Sequence, residues 1–109
     1  MTVNEIAQAL SLQSISLPHG DRNAAGVYIG DLLSWVMGRA QSGNVWITIM
    51  SNLNVVAVAS LSDVSCVLLA ENVQLDDEVK RVAQEKGINI LSTPKSAYEI
   101  ATALSKQSI

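Results

Sequence analysis

Four short apolar runs, Ala25–Ile29, Val45–Ile49, Ser65–Leu69 and Ile88–Leu91, alternate along the chain with segments that read as helices. This alternation constrains the fold more than any other feature. Consecutive strands separated by a helix can lie parallel, joined by right-handed crossovers. Runs that are apolar nearly throughout fit strands covered on both faces, not strands with one wet face. The expectation is an α/β fold: a three-layer α/β/α sandwich with a mostly parallel central sheet of four to five strands.

The intervening segments carry start and stop signals. Asp31 is placed to cap a helix whose apolar face holds Leu32, Leu33, Trp35, Val36 and Met37, with Gly43 marking its end. Val55-Val56-Ala57-Val58-Ala59 is β-branched enough for a strand. Its position between two better strands, after Asn52 and Asn54 and before Ser62-Asp63, predicts a buried helix over 53–61 instead. Asp76-Asp77-Glu78 suits the positive end of a helix. That helix has Val79, Val82 and Ala83 on its inner face and stops at Lys86-Gly87. Thr93-Pro94 is expected to begin the last helix, anchored by Tyr98, Ile100, Ala101 and Leu104. Upstream, Thr2 and Glu5 have capping-box spacing for a helix over 3–10. A short strand over 12–17 follows, then a loop that begins Pro18-His19-Gly20-Asp21.

The chain has 109 residues, enough for one domain spanning 1–109 and too few for two. With 49% of its residues apolar, it is expected to bury a core without disulfides or metal. A net charge of −3 and only seven scattered lysines and arginines argue against nucleic acid as a partner. No apolar run is long enough for a transmembrane helix, and the first residues lack a signal-type core, so a cytoplasmic location is expected. One cysteine and one histidine exclude a zinc cluster or a multi-histidine site. Cys66 lies within an apolar run and reads as a small buried side chain. His19 reads as a loop residue. There is no phosphate-loop signature, no dinucleotide fingerprint and no nucleophile elbow. No catalytic residue, cofactor or metal is assigned.

Open parallel sheets bind ligands outside the carboxyl ends of their strands, where helix N-termini present free N–H groups. Here that rim would carry Asp31, Ser51, Asn52, Asn54, Glu71, Asn72 and Thr93, with no lysine or arginine expected among them. Ordinary turns and caps account for the same residues. A second signal is the number of large apolar side chains. Trp35, Met37, Trp46 and Met50 either fill the core or leave a patch for association. Trp35 and Met37, with Val55 and Val58 on the 53–61 helix, are the candidate interface.

The segments Val27-Tyr28-Ile29-Gly30-Asp31-Leu32-Leu33-Ser34-Trp35-Val36-Met37, Val45–Ile49, Asn54–Leu61 and Gly87–Thr93 together resemble a DRTGG domain. The resemblance covers about residues 15–109. It implies a fold similar to the N-terminal domain of HPr kinase. It also implies a module of the kind attached to phosphotransacetylases and to pyrophosphatases with CBS domains, or standing alone. Such a module is expected to be regulatory, to self-associate and not to catalyse. The residues that name the family would fall at Ser51-Asn52 and at Ala70-Glu71-Asn72, where all five are replaced. Any anion-binding role of those turns is therefore in doubt. Two functions remain open. One is a non-catalytic regulatory or assembly module, acting as a homodimer or through a partner protein. The other is a sensor for an adenine-nucleotide-like small molecule bound at the rim.

Overall fold

A computed structural model describes residues 1–109. The elements run α1 (Val3–Ala9), β1 (Gln13–Ser16), β2 (Val27–Ile29), α2 (Leu33–Arg39), β3 (Val45–Thr48), α3 (Leu53–Ser62), β4 (Cys66–Leu69), α4 (Asp77–Lys86), β5 (Ile90–Ser92) and α5 (Ala97–Ser105). The strands form one five-stranded sheet in the order β1-β5-β4-β3-β2. The pairs β2–β3, β3–β4 and β4–β5 are parallel, and β1 returns antiparallel to β5.

Alternate strand residues feed two cores. Trp46, Val67, Leu69 and Ile90 pack on one face against Val36 of α2, Val55, Val56, Val58 and Ala59 of α3, and Val79 and Ala83 of α4. Val45, Ile47, Cys66, Leu68 and Leu91 pack on the other against Val3 and Ile6 of α1 and Ile100 and Leu104 of α5. The result is the expected sandwich, with three helices on one face and two on the other.

The valine-rich segment is helical, as its position predicts. Its N-cap Asn52 accepts a hydrogen bond from the Asn54 amide, and Asp63 closes it in the left-handed region at φ 56°. Flanked by α2 and α4, α3 is wedged into the core, so β-branched packing outweighs helix propensity. The capping box of α1 forms as its sequence spacing implies, between Thr2 and Glu5.

Several boundaries differ from expectation. Asp31 does not cap α2. The N-cap position is Leu32, without a side-chain bond, because the Asp31 carboxylate is turned to β3 instead. That helix ends at Arg39, before Gly43; its cap, Ala40, is already extended. The first apolar run, Ala25–Ile29, pairs only from Val27, and β5 begins at Ile90. The last helix starts after Ser96, not at Thr93-Pro94, because Ser96 and Glu99 form a second capping box. Tyr98, expected as an anchor, is 81% exposed, since the buried stripe of α5 runs through Ile100 and Leu104. No helix is long and apolar enough to cross a membrane.

Candidate functional site

The carboxyl ends of β2, β3, β4 and β5 form a polar rim, as the topology requires. Its centre is the Asp31 carboxylate. Oδ1 accepts from the Thr48 hydroxyl at 2.8 Å and from the Ile49 amide at 3.0 Å. The loop after β2 is thereby clamped to the end of β3. The Thr48 hydroxyl in turn accepts from the Met50 amide at 3.2 Å. Ser51 is half-buried, while Asn52 and Asn54 are exposed at the start of α3. The Asn52 side chain is occupied by the Asn54 amide at 3.0 Å.

Glu71 and Asn72 both adopt left-handed backbone, with φ of 60° and 59°. Their amides donate to the carbonyls of Lys95 and Thr93, at 2.8 and 2.9 Å, which staples this turn to the β5–α5 connection. Thr93 is buried, and its hydroxyl accepts from the Lys95 amide at 3.3 Å. The rim therefore includes Lys95, which the sequence reading left out. Lys95 stands two residues after Thr93 in sequence, in the first turn of the helix expected from Thr93-Pro94, and the cap at Ser96 leaves it on the connection instead. Asp31 and the β3–α3 turn sit at one end of the rim, with Glu71, Asn72, Thr93 and Lys95 at the other.

The rim's donors divide. The amides of Ile49, Met50, Asn54, Glu71 and Asn72 are engaged within the chain, whereas those of Ser51, Asn52 and Leu53 ahead of α3 are not. An anion here would meet these free N–H groups at one end and the exposed Lys95 at the other.

The interface candidates divide. Trp35 and Met37 are 53% and 52% exposed. Val55 and Val58 are not available to a second chain: both are buried in the protein's own core between α3 and the sheet. This corrects the expectation for that helix. The large apolar side chains left exposed near α2 are instead Ile29 and Leu32. Of the remaining large residues, Trp46 is wholly buried, with its indole N–H donating to the Gly30 carbonyl at 2.9 Å. Met50 is half-buried against the same core.

Apart from Glu5 and Glu99, whose capping-box bonds to Thr2 and Ser96 hold their carboxyls below the usual range, two ionisable groups are shifted by causes visible in the geometry. Burial pushes the Cys66 thiol up to about 12, away from thiolate chemistry. The Asp63 carboxyl is held below the usual range by the Arg22 guanidinium, 2.9 Å away, and by the Ser42 hydroxyl.

A search of the curated proteins by sequence gave no match. Among solved structures, the chain is similar to the CBS and DRTGG domains of the regulatory region of a Clostridium perfringens pyrophosphatase, solved with its activator diadenosine tetraphosphate. The TM-score is 0.72 at 14% identity, over 93% of this chain and 44% of that one. This likeness is one of fold, and the chain spans less than half of that regulatory chain. The model of the DRTGG domain family matches residues 5–107, nearly the entire length, so the chain belongs to the DRTGG domain family.

Proposed function

We propose that this protein is a non-catalytic regulatory module that works by self-association, as a homodimer. Family membership supports a regulatory reading, because the related fold occurs in the regulatory region of the pyrophosphatase. The observation that carries the assembly reading is the apolar group Ile29, Leu32 and Trp35 around β2 and the start of α2. Each is more than half exposed. A side chain of this size left in water forgoes roughly 1.5–3 kcal/mol of burial. Pairing about a two-fold axis is the commonest way for a small domain to cover such a patch. The test is mass by light scattering at tens of micromolar, for the wild type and Trp35→Glu. A dimeric wild type that becomes monomeric in the variant is expected. A monomeric wild type refutes the reading.

A second reading is favoured by one observation, the nucleotide activator bound to the pyrophosphatase region. On this reading the rim takes an adenine-nucleotide-like ligand, with Lys95 facing its phosphate charge. Thermal shift with adenine nucleotides and diadenosine tetraphosphate tests it. A ligand at a hundred times its Kd adds about 2.7 kcal/mol of stability. A shift that disappears in Lys95→Ala supports the rim; no shift with any of these compounds refutes it.

A further inference from the structure

The two edges of the sheet are built differently. β1, at one edge, is polar through Gln13, Ser14 and Ser16, is interrupted by an irregularity between Ser14 and Ser16, and is soon followed by Pro18. These are the devices that keep an edge from recruiting another strand. β2, at the opposite edge, is short at three residues but has none of these three features. Its sequence is Val-Tyr-Ile between Gly26 and Gly30, without charge, proline or bulge.

The pairing of β2 shows which of its groups are unused. The Gly26 carbonyl accepts from the Val45 amide, and the Gly30 amide donates to the Ile47 carbonyl. Tyr28 lies between them, opposite Trp46. A parallel strand bonds a given neighbour through alternate residues. The N–H and C=O groups of Val27 and Ile29 therefore point away from the sheet.

The adjoining flank of α2 is apolar as well. Val36 is the fully buried residue of this helix. Trp35 and Met37 diverge from it by about 100° in opposite directions. A right-handed β2–α2–β3 crossover turns the Trp35 side toward the free edge and the Met37 side toward α3. Leu32, Trp35 and Arg39 lie along that outer side, all exposed. The Arg39 guanidinium rests 3.9 Å above the indole.

We infer that β2 is the self-pairing edge of the protein: a second copy adds its β2 antiparallel across a two-fold axis beside Tyr28. This deepens the homodimer reading and rests on it. In this register Val27 and the second copy's Ile29 exchange both N–H···O bonds, and Tyr28 faces its own twin. The same axis sets the two α2 helices side by side and antiparallel, with Trp35 close to the axis. The edge is thus complementary to itself in hydrogen bonding and in apolar surface. An unrelated extended peptide would match only the first of these.

The chain's single cysteine is buried, which makes cross-linking a clean test. Facing residues of a non-hydrogen-bonded antiparallel pair have Cα atoms about 4.5 Å apart, within reach of a disulfide. Mild oxidation of Tyr28→Cys is expected to give a covalent dimer on a non-reducing gel, and Tyr98→Cys on α5 is expected to give none. Light scattering of Ile29→Lys supplies a measurement that does not depend on replacing Tyr28, and a monomer is expected. If the wild type is dimeric but Ile29→Lys still dimerises, or Tyr28→Cys fails to cross-link, the edge assignment is overturned while the homodimer stands. If the wild type is monomeric, both fall.

Discussion

The side chain of Asn89 takes the place of a strand partner for His19. Its Oδ1 accepts from the His19 amide at 3.0 Å, and its Nδ2 donates to the His19 carbonyl at 2.8 Å. The same Nδ2 donates to the Ser65 carbonyl at 2.9 Å. With Asn89 only 3% exposed, one amide joins the loop after β1 to the starts of β4 and β5. Asn89→Ala leaves these groups without partners, at about 1–3 kcal/mol for each that stays dry. A loss of roughly 3 kcal/mol is expected, read as a lower urea midpoint with an unchanged slope. Asn89→Asp is expected to be at least as harmful, since a carboxylate would face two carbonyls. A midpoint equal to the wild type in Asn89→Ala would show that the loop holds without this amide.

The clamp between Asp31 and Thr48 separates acceptor from charge. Asp31→Asn keeps an oxygen for the Thr48 hydroxyl and the Ile49 amide, whereas Asp31→Ala leaves the buried hydroxyl with no acceptor for its proton and the Ile49 amide without its partner. The alanine variant is expected to lose about 1–3 kcal/mol, and the asparagine variant clearly less. Adding Thr48→Val to Asp31→Ala is expected to recover part of the loss, because residues in direct contact are not additive. Equal losses in the two single variants would put the contribution in the charge instead.

Cys66 is expected to resist thiol reagents until the chain unfolds, so that labelling tracks global opening. Its folded pKa lies above the unfolded value near 9. Below that pH both states hold the proton and stability is insensitive to it. Between about 9 and 12 the unfolded chain gives up the proton first, so stability falls as pH rises. The slope is on the order of 1 kcal/mol per pH unit. Comparing urea unfolding of wild type and Cys66→Ala across that range isolates the effect. Parallel curves would count against a buried neutral thiol.

Asp63 has the opposite sign. Its folded pKa is depressed by Arg22 and Ser42, so the stabilisation is present above the unfolded carboxyl value and disappears as pH falls through the folded one. NMR titration is expected to find its carboxyl below the ordinary carboxylate range, and to find it higher in Arg22→Ala. A carboxyl that titrates at the same pH in both proteins would remove Arg22 as the cause.

The fold was readable where two levels of pattern agreed. The apolar runs and the helical segments between them point to the same parallel sheet. Even the valines of α3 could be placed, because the topology needs a helix there. Reading failed where a side chain had a choice of partner. Asp31 next to a helix start reads as a cap, yet the buried Thr48 hydroxyl competes for it and wins. Val55 and Val58 are apolar on a helix that is apolar nearly all round, so periodicity could not say which face is wet. Lys95 came to the rim because Ser96, not Thr93, caps α5, a choice between two adequate capping residues. The unequal edges of the sheet were beyond reach for another reason. No local pattern tells that β1 pairs outside β5, and only the pairing reveals β2 as the other border.

That border arrangement has a consequence for how the chain is made. Gln13 of β1 pairs with Ser92 of β5. The strand synthesised first must therefore wait for the strand synthesised last. During translation β2, β3 and β4 can assemble in order as they emerge, while β1 has no neighbour until β5 leaves the ribosome. Distant pairing of this kind slows folding, because the loop must close before any contact repays it. The polar composition of Gln13, Ser14 and Ser16 acquires a second meaning in that interval. A waiting strand whose one apolar residue is Ile15 is a poor seed for aggregation, so the nascent chain can carry it unpaired until its partner arrives.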